Sequence, residues 1–195
     1  MTKFILHGGF TSAKNDLNDS FYQEIIEDIP DNGNILLVYF SREPQEWEKL
    51  FEGGKELILK EAKGRAFNFT LANKSDFLAQ LKEAQAIYLI GGDTTTLLDA
   101  LKEYPDFHKA IKNKVVVGSS AGAYVLAKYY YSNSKASISE GLGILPIKVI
   151  CHYKSETYGS ASTQDPIELF KQYPTDLELV VLKDYEWRVF MLEGL

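Results

Sequence analysis

The sequence predicts an α/β fold in which a mostly parallel β-sheet is covered by helices on both faces. Short apolar runs, rich in β-branched or aromatic residues, alternate with amphipathic stretches of helical length over the first two thirds of the chain. This alternation indicates right-handed βαβ crossovers, which place successive strands parallel in one sheet. The chain has 195 residues, of which 45% are hydrophobic, so a single domain over 1–195 can bury a full core.

Five apolar runs are the predicted strands of this sheet, and the stretches between them are the predicted helices. The strands cover Phe4–His7, Ile35–Phe40, Ala66–Leu71, Ala86–Ile90 and Val115–Gly118. The helices cover residues 17–28, 45–62, 75–84 and 95–112, and the first three begin at Asp16, Pro44 and Ser75. Two glycines, Gly53 and Gly54, cost the second helix about 1 kcal/mol each relative to alanine, so we expect a kink or a break there.

The pattern changes after residue 120. We predict a helix over residues 121–131, then a polar, loop-like segment over Ser132–Glu140 and a strand over Leu142–Cys151. A short helix begins at Asp165 and Pro166 and ends at Pro174. The last prediction is an antiparallel pair, formed by Leu179–Leu182 and Trp187–Met191 around a turn at Lys183–Glu186.

Composition and charge exclude several classes of function. The formal net charge is −6 and no basic run occurs, so we expect no nucleic-acid partner. No apolar stretch approaches the roughly 20 residues of a membrane span, and the chain enters its first strand without a signal-peptide core. The single cysteine, Cys151, allows no internal disulfide and fits a reducing compartment. We expect a cytoplasmic protein without membrane contact, and no motif indicates a cofactor or a metal ion.

The segment after the fifth predicted strand has the pattern of a nucleophile elbow, a sharp turn between a strand and a helix. Residues 118–123 are Gly-Ser-Ser-Ala-Gly-Ala. A side chain at Gly118 or Gly122 would collide with the adjoining strand or helix, whereas the hydroxyl of Ser120 would stand clear of the sheet. The first N–H groups of the helix would then stabilise an oxyanion. The alternative is a Gly/Ser-rich loop of the kind common in α/β proteins.

A second glycine-rich turn follows the fourth predicted strand, where residues 91–94 are Gly-Gly-Asp-Thr. Ligands of open α/β sheets bind beyond the carboxyl ends of the strands, so this turn and the elbow are expected at one site. We predict that the N–H groups of Gly92 and Ala121 form an oxyanion hole. The alternative is a phosphate cradle, but the P-loop lysine is missing and Asp93 would repel phosphate.

Three histidines are candidates for the base that activates Ser120. His108 lies among charged residues on a helix and is expected at the surface, while His7 ends the first strand and either lines the site or caps a turn. His152 ends a strand that follows the elbow helix and is the preferred base. Cys151 is assigned to the core, because successive side chains of a strand point to opposite faces.

Several acids are candidates for the third member of a catalytic triad. An α/β-hydrolase places its acid between serine and histidine, but only Glu140 lies between Ser120 and His152 and only a short segment follows the elbow, so that class is excluded. The remaining candidates are Glu156, Asp165, Asp184 and Glu186. We prefer Asp184, which lies in a turn between two predicted strands, with ordinary turn chemistry as the alternative.

Three motifs together resemble the peptidase E and cyanophycinase family of serine peptidases, and the resemblance covers essentially the whole chain. They are the turn at 91–94, the elbow at 118–123 and Cys-His-Tyr at 151–153. The resemblance implies a class I glutamine-amidotransferase-like fold, a three-layer sandwich with a flavodoxin-like sheet and a small antiparallel C-terminal extension. It also implies Ser120 as nucleophile, His152 as base, and Gly92 and Ala121 as oxyanion donors.

The chain departs from the family pattern at positions that bear on function. Peptidase E has its triad aspartate in the loop after the elbow helix, where residues 131–135 contain no acid, and the late-turn acid of cyanophycinase-like members best matches Asp184. Tyr158 stands where peptidase E has the arginine that recognises an N-terminal aspartate. A neutral phenol cannot replace a bidentate guanidinium, so we do not expect Asp-X dipeptidase specificity.

The expected function is that of a serine hydrolase acting on a small peptide or amide. Its catalytic residues would be Ser120, His152 and Asp184, and its substrate-binding residues Asp93, Thr94 and Tyr158. A homodimer is a possible assembly. Two alternatives stay open: an inactive family member that binds a small ligand or a protein partner in the same cleft, and an esterase with the same nucleophile.

Overall fold

The computed structural model describes residues 1–158, 164–173 and 175–194, which form ten strands and seven helices. The strands are β1 (Thr2–His7), β2 (Gly33–Val38), β3 (Phe67–Leu71), β4 (Ala86–Leu89), β5 (Val115–Ser119), β6 (Ala127–Ser132), β7 (Ser137–Glu140), β8 (Leu145–Ile150), β9 (Glu178–Val181) and β10 (Trp187–Leu192). The helices are α1 (Asp16–Glu27), α2 (Trp47–Lys60), α3 (Phe77–Glu83), α4 (Thr94–Lys102), α5 (Phe107–Ala110), α6 (Ala121–Leu126) and α7 (Pro166–Lys171).

A six-stranded sheet in the order β10-β1-β5-β4-β2-β3 lies at the centre of the fold. Strands β1 to β5 are parallel, and β10 runs antiparallel to β1 at one edge. All five strands predicted for this sheet are present, close to their expected bounds. Their carboxyl ends meet at one edge of the sheet, where a ligand site of an open α/β fold is expected.

Helices cover both faces of the central sheet, as the side chains of β2 illustrate. Ile35 and Leu37 pack in the cluster that includes α1 and α2, whereas Leu36 and Val38 pack in the cluster that includes α3 to α6. Successive residues of a strand point to opposite faces, and both faces are covered, so all four side chains are buried. The predicted α/β class with a mostly parallel sheet is confirmed.

A second sheet in the order β7-β6-β8-β9 corrects two predictions about the chain after the elbow. The helix expected over 121–131 ends at Leu126, and the next six residues form β6. Consecutive tyrosines at 129–131 favour an extended chain, and the six residues of α6 are all buried, so no polar face marks where the helix ends. The segment expected as a loop contains β7, a polar edge strand antiparallel to β6.

The two last strands do not pair with each other, which corrects the predicted C-terminal hairpin. β9 is parallel to β8 in the second sheet, whereas β10 is antiparallel to β1 in the central sheet. The turn between them carries the chain from one sheet to the other. The sequence predicts a hairpin here because two strands joined by a short turn have the sequence pattern of a hairpin. Of the two antiparallel pairs in the described structure, β7 with β6 and β10 with β1, the second is the C-terminal one.

Two predicted helices also differ in detail. The stretch 95–112 forms two helices, α4 and α5, with Pro105 between them, since proline has no N–H for a helix interior. The helix α2 is continuous through Gly53 and Gly54, after a 3-10 turn at Pro44–Glu46. A Cβ at Gly54 would lie 2.4 Å from the hydroxyl oxygen of Tyr39, which accounts for the second glycine.

Pro174, the predicted end of the helix that begins at Asp165 and Pro166, lies outside the described residues. That helix is α7, whose first residue is Pro166, with Asp165 as its N-cap. Within the described ranges, every helix is too short or too polar to span a lipid bilayer.

Candidate active site

Ser120 occupies the sharp turn between β5 and α6. A Cβ added to Gly118 would lie 2.5 Å from the carbonyl carbon of Gly122, and one added to Gly122 would lie 2.0 Å from the carbonyl oxygen of Leu89. Both are closer than any side chain tolerates, so the predicted need for glycine on each side of the serine is confirmed.

The backbone of Ser120 is strained, with φ 49° and ψ −107°. A non-glycine residue in this region costs about 1–3 kcal/mol and persists only where its surroundings hold it. Here the N–H of Ser120 donates to the carbonyl of His7 at 2.9 Å, and its carbonyl accepts from the N–H of Tyr124 at 3.0 Å. The turn is thus fixed on both sides, and Ser120 faces a cavity.

The side chain of His152 lies between Ser120 and Asp184. Its Nε2 is 3.0 Å from the Oγ of Ser120, and its Nδ1 is 2.7 Å from the Oδ1 of Asp184. A carboxylate only accepts, so Nδ1 carries the proton and Nε2 is left to accept from the serine hydroxyl. The structure therefore brings together the three residues that the sequence marks as nucleophile, base and acid, in the arrangement of a serine-hydrolase triad.

The imidazole of His152 is held from three directions. A Cβ at Gly9 would lie 1.9 Å from its Cε1, so the backbone of β1's end packs directly against the ring. Phe10 meets the ring edge-on at 5.5 Å between centroids, and Tyr158 lies 4.6 Å away. These contacts leave the ring little freedom to turn away from Ser120.

Asp184 reaches the site because its turn is bonded to the end of β1. The N–H of Gly8 donates to the carbonyl of Glu186 at 2.8 Å, and the N–H of Tyr185 donates to the carbonyl of Gly9 at 3.1 Å. The carboxylate is 17% exposed and the imidazole 8%, so water is largely excluded from the bond between them.

The other acids considered from the sequence have local partners. Asp165 caps α7 by accepting from the N–H of Ile167 at 2.9 Å, and Glu186 accepts from the N–H of Lys183 at 2.9 Å. Glu156 is exposed. None of the three is bonded to His152.

Gly92 and Ala121 belong to two turns that meet beside Ser120. Ala121 is the first residue of α6, and the Gly91–Gly92 turn packs so closely that a Cβ at Gly91 would lie 3.2 Å from the Cβ of Ser120. Throughout the described chain, neither N–H donates to another protein group. Two unpaired backbone donors beside a nucleophile are what an oxyanion hole requires.

The site opens into a cavity of about 480 Å³. Asp93, Thr94 and Tyr158, the residues expected to bind substrate, all line it. Asp93 is also the N-cap of α4: its Oδ1 accepts from the N–H of Thr96 at 2.7 Å, and this bond is the main reason that the pKa of Asp93 is lowered. Tyr158 is 52% exposed and packs against Phe10 at 5.3 Å between centroids.

The cavity wall includes residues that sequence reasoning missed, above all Arg42, together with Ser12 and Asn133. Arg42 follows β2, so it stands at the same sheet edge as the elbow. Its place just after β2 could have indicated Arg42 as a site residue, because every parallel strand of such a sheet ends at this edge.

Residues 18–190 match the sequence model of peptidase family S51. The chain belongs to peptidase family S51. This match confirms the resemblance to peptidase E that the three motifs predict. Among curated proteins, no relative matches the chain.

Two solved structures share the S51 chain's fold. One is a peptidase from an acI-B1 Actinobacterium, with 24% identity, a TM-score of 0.69 and coverage of 97% of this chain and 83% of that one. The other is a candidate peptidase E protein from Listeria monocytogenes EGD-e, with 16% identity, a TM-score of 0.63 and coverage of 99% and 100%. Family membership supports a peptidase.

His108 and Cys151, two further residues of the S51 chain considered from its sequence, form no hydrogen bond with the Ser120 hydroxyl or the Asp184 carboxylate in the described structure. His108 is exposed and bonded to the carbonyl of Pro105. Cys151 is buried in the core as predicted, and burial raises the pKa of its thiol. No group of three or more His, Cys, Asp or Glu residues in the described ranges is arranged to hold a metal ion.

His7 is fully buried and has a structural role. Its Nδ1 accepts from the N–H of Gly9 at 2.9 Å, so the proton is on Nε2, which donates to the Oδ1 of Asn18 at 2.9 Å. The pKa of His7 is lowered to about 4, above all by burial; the bond to Asn18 opposes this shift, and the nearby His152 contributes to it. His7 therefore stays neutral in the folded protein at pH 5–6, where an unfolded histidine takes up a proton.

Acidification should destabilise the protein through His7. Between pH 6.5 and pH 4 the unfolded chain binds the extra proton, so the free energy of unfolding falls as the pH falls through this window. The shift corresponds to about 2–3 kcal/mol between pH 7 and pH 4.5. Urea unfolding of the wild type and His7→Asn at the two pH values measures it: the variant should lose less stability on acidification by that amount. His108→Asn is the matched control and should behave as the wild type; equal losses in all three proteins would contradict the prediction.

Proposed function

We propose that this chain is a serine peptidase that hydrolyses a small peptide or amide through an acyl-enzyme on Ser120. The observation that carries the proposal is the pair of short bonds at His152, 3.0 Å to the Oγ of Ser120 and 2.7 Å to the Oδ1 of Asp184. Membership of the S51 peptidase family supports the same conclusion. A cytoplasmic location belongs to the proposal, because the single cysteine allows no internal disulfide.

The proposed reaction begins when the Oγ of Ser120 attacks the substrate carbonyl and its proton passes to Nε2 of His152. The carbonyl oxygen becomes an oxyanion, which the N–H groups of Gly92 and Ala121 stabilise. Asp184 stabilises the imidazolium and keeps it correctly oriented, without taking its proton. His152 then protonates the leaving amine, and the C–N bond breaks to leave an acyl-enzyme on Ser120. In the second half of the reaction His152 takes a proton from water, which attacks the acyl carbon. His152 returns that proton to the Oγ of Ser120 as the acid leaves.

The cavity walls favour a small substrate without a strict requirement for an N-terminal aspartate. Tyr158 would pack against the acyl part beside His152, and Thr94 would offer a hydroxyl. The carboxylate of Asp93 caps α4 and also lines the cavity, where it would accept from a substrate N–H. Because Tyr158 carries no charge, we expect no strong preference for an acidic residue at that wall.

A fluorophosphonate probe tests the proposed nucleophile without knowledge of the substrate. We expect one covalent adduct, mapped to Ser120 by mass spectrometry of the digested protein, and none in Ser120→Ala. The exposed Ser75 on the surface provides a matched control, and Ser75→Ala should label as the wild type does. Wild type that is not labelled at Ser120 would overturn the peptidase proposal in favour of a ligand-binding family member. A panel of aminoacyl amides and p-nitrophenyl esters then separates a peptidase from an esterase.

A further inference from the structure

The turn that follows β4 is held at almost every backbone polar group. The N–H of Ile90 donates to the carbonyl of Val38 at 3.1 Å, and the carbonyl of Ile90 accepts from the Oγ of Ser41 at 2.8 Å. The N–H of Gly91 donates to the Oγ of Ser119 at 3.1 Å. The N–H of Asp93 donates to the carbonyl of Ser41 at 2.9 Å. Among the N–H groups of residues 90–93, only that of Gly92 has no acceptor in the described chain.

Arg42 completes this set of bonds at the carbonyl of Gly91. Its Nε donates to that oxygen at 2.7 Å, a short bond of the charge-assisted kind. The carbonyl of Gly91 and the N–H of Gly92 belong to one planar peptide and point in opposite directions. A guanidinium fixed on the carbonyl side therefore fixes the direction of the N–H on the other side.

The peptide between two glycines needs such a restraint. Glycine has no Cβ and adopts both signs of φ with little cost, so this peptide could rotate and turn its carbonyl toward the cavity. A carbonyl there would repel an oxyanion. The bond from Arg42 opposes that rotation, and it also polarises the peptide, which makes the N–H of Gly92 a stronger donor.

Arg42 is itself placed for this contact. Its N–H donates to the carbonyl of Tyr39 at 2.8 Å, and its carbonyl accepts from the Nε1 of Trp47 at 2.9 Å. Across the residues that the structure describes, no carboxylate forms an ion pair with its guanidinium. The charge of Arg42 is therefore directed to the Gly91 carbonyl and to the cavity.

We propose that Arg42 is a positioning residue of the oxyanion hole, holding the Gly91–Gly92 peptide with its N–H toward Ser120. The inference rests on the proposed peptidase function for its kinetic consequence. Complete removal of an oxyanion donor costs about 10²–10³ in kcat, and a donor that is present but free to rotate should cost less. We expect a loss between about 10-fold and 100-fold.

The kinetic test compares Arg42→Met, Arg42→Lys and Arg188→Met. Arg188 pairs with Glu178 on the surface, so its variant removes an arginine without touching the turn. The labelling rate of Ser120 by an uncharged fluorophosphonate should fall about 10-fold to 100-fold in Arg42→Met, recover partly in Arg42→Lys, which keeps a cationic donor, and stay unchanged in Arg188→Met. On amides or esters that the wild type hydrolyses, kcat should fall in Arg42→Met while KM stays nearly constant. The factor by which kcat falls should be the same for neutral and for anionic acyl groups. A rise in KM confined to anionic substrates would overturn the proposal and make Arg42 a carboxylate-binding residue.

A spectroscopic test is independent of activity. The ¹⁵N resonance of an amide responds to hydrogen bonding at the preceding carbonyl, so the ¹⁵N shift of Gly92 reports the bond from Arg42. We expect this shift to change in Arg42→Met, to return part of the way in Arg42→Lys and to stay in place in Arg188→Met. An unchanged Gly92 shift in Arg42→Met would overturn the positioning role. If Ser120 of the wild type is not labelled, the peptidase proposal fails, and the Gly92 shift alone decides whether Arg42 holds the peptide.

Discussion

Replacing His152 with asparagine should abolish hydrolysis and labelling at Ser120. Without the imidazole, no group accepts the proton of the Ser120 hydroxyl or returns one to the leaving amine, and the loss in kcat should be on the order of 10⁶. Asparagine suits the position because the backbone of residue 152 has φ 56°, a left-handed conformation that asparagine adopts readily. The measurement is the hydrolysis rate on a substrate found with the amide and ester panel, supported by the labelling rate.

The exposed His108 supplies the matched control for this substitution. His108→Asn removes an imidazole from the surface, and its activity should equal that of the wild type. Thermal unfolding of both variants shows whether each is folded. A folded His152→Asn protein that retains more than about a hundredth of the wild-type rate would contradict the role of His152 as the base.

The second large effect is expected from Asp184→Asn. The amide can donate to the Nδ1 of His152, which favours the tautomer with its proton on Nε2, and that tautomer cannot accept from Ser120. The same change in a serine-protease triad costs about 10⁴ in kcat with the geometry intact. We expect a loss of similar size on the same substrate, with KM affected far less.

The neighbouring carboxylate makes a control within one turn. In the described structure the side-chain carboxylate of Glu186 accepts only from the N–H of Lys183, and an amide oxygen can do the same, so Glu186→Gln should keep full activity. Equal activity of Asp184→Asn and Glu186→Gln would mean that Asp184 serves the turn alone, leaving Ser120 and His152 as a dyad.

The elements that lead to the site could be predicted because each carries a local signal. Buried parallel strands are continuous apolar runs, and the glycines at 118 and 122 mark an elbow whose geometry tolerates no other residue there. The end of α6 could not be predicted, because a helix buried on all sides has no polar face to mark where it stops. Nor could the separation of β9 from β10, since the choice of partner strand depends on contacts far away in the sequence.

The candidate site divides in the same way. Ser120, Gly92 and His152 follow strands, and the rule that parallel strands end at one edge brings them together from sequence alone. Arg42 also follows a strand that ends at this edge. Its contact with the carbonyl of Gly91 could not be predicted, because a bond to the backbone leaves no pattern of residue types in the sequence. Asp184 is preferred among four acids from its place in a predicted turn, but the bonds of that turn to Gly8 and Gly9, which bring it to His152, have no signal in the sequence.

The proposed triad depends on the passage of the chain from the second sheet to the central one, because Asp184 lies in the turn between β9 and β10. Ser120 and His152 follow β5 and β8, whereas Asp184 is held beside the imidazole by a turn that is bonded to the end of β1 and leads into β10 at the sheet edge. A partly synthesised chain, or one clipped before residue 184, would carry the nucleophile without its full activating system. Hydrolysis by the proposed triad would therefore depend on the last strand of the described chain, which lies far from Ser120 in sequence.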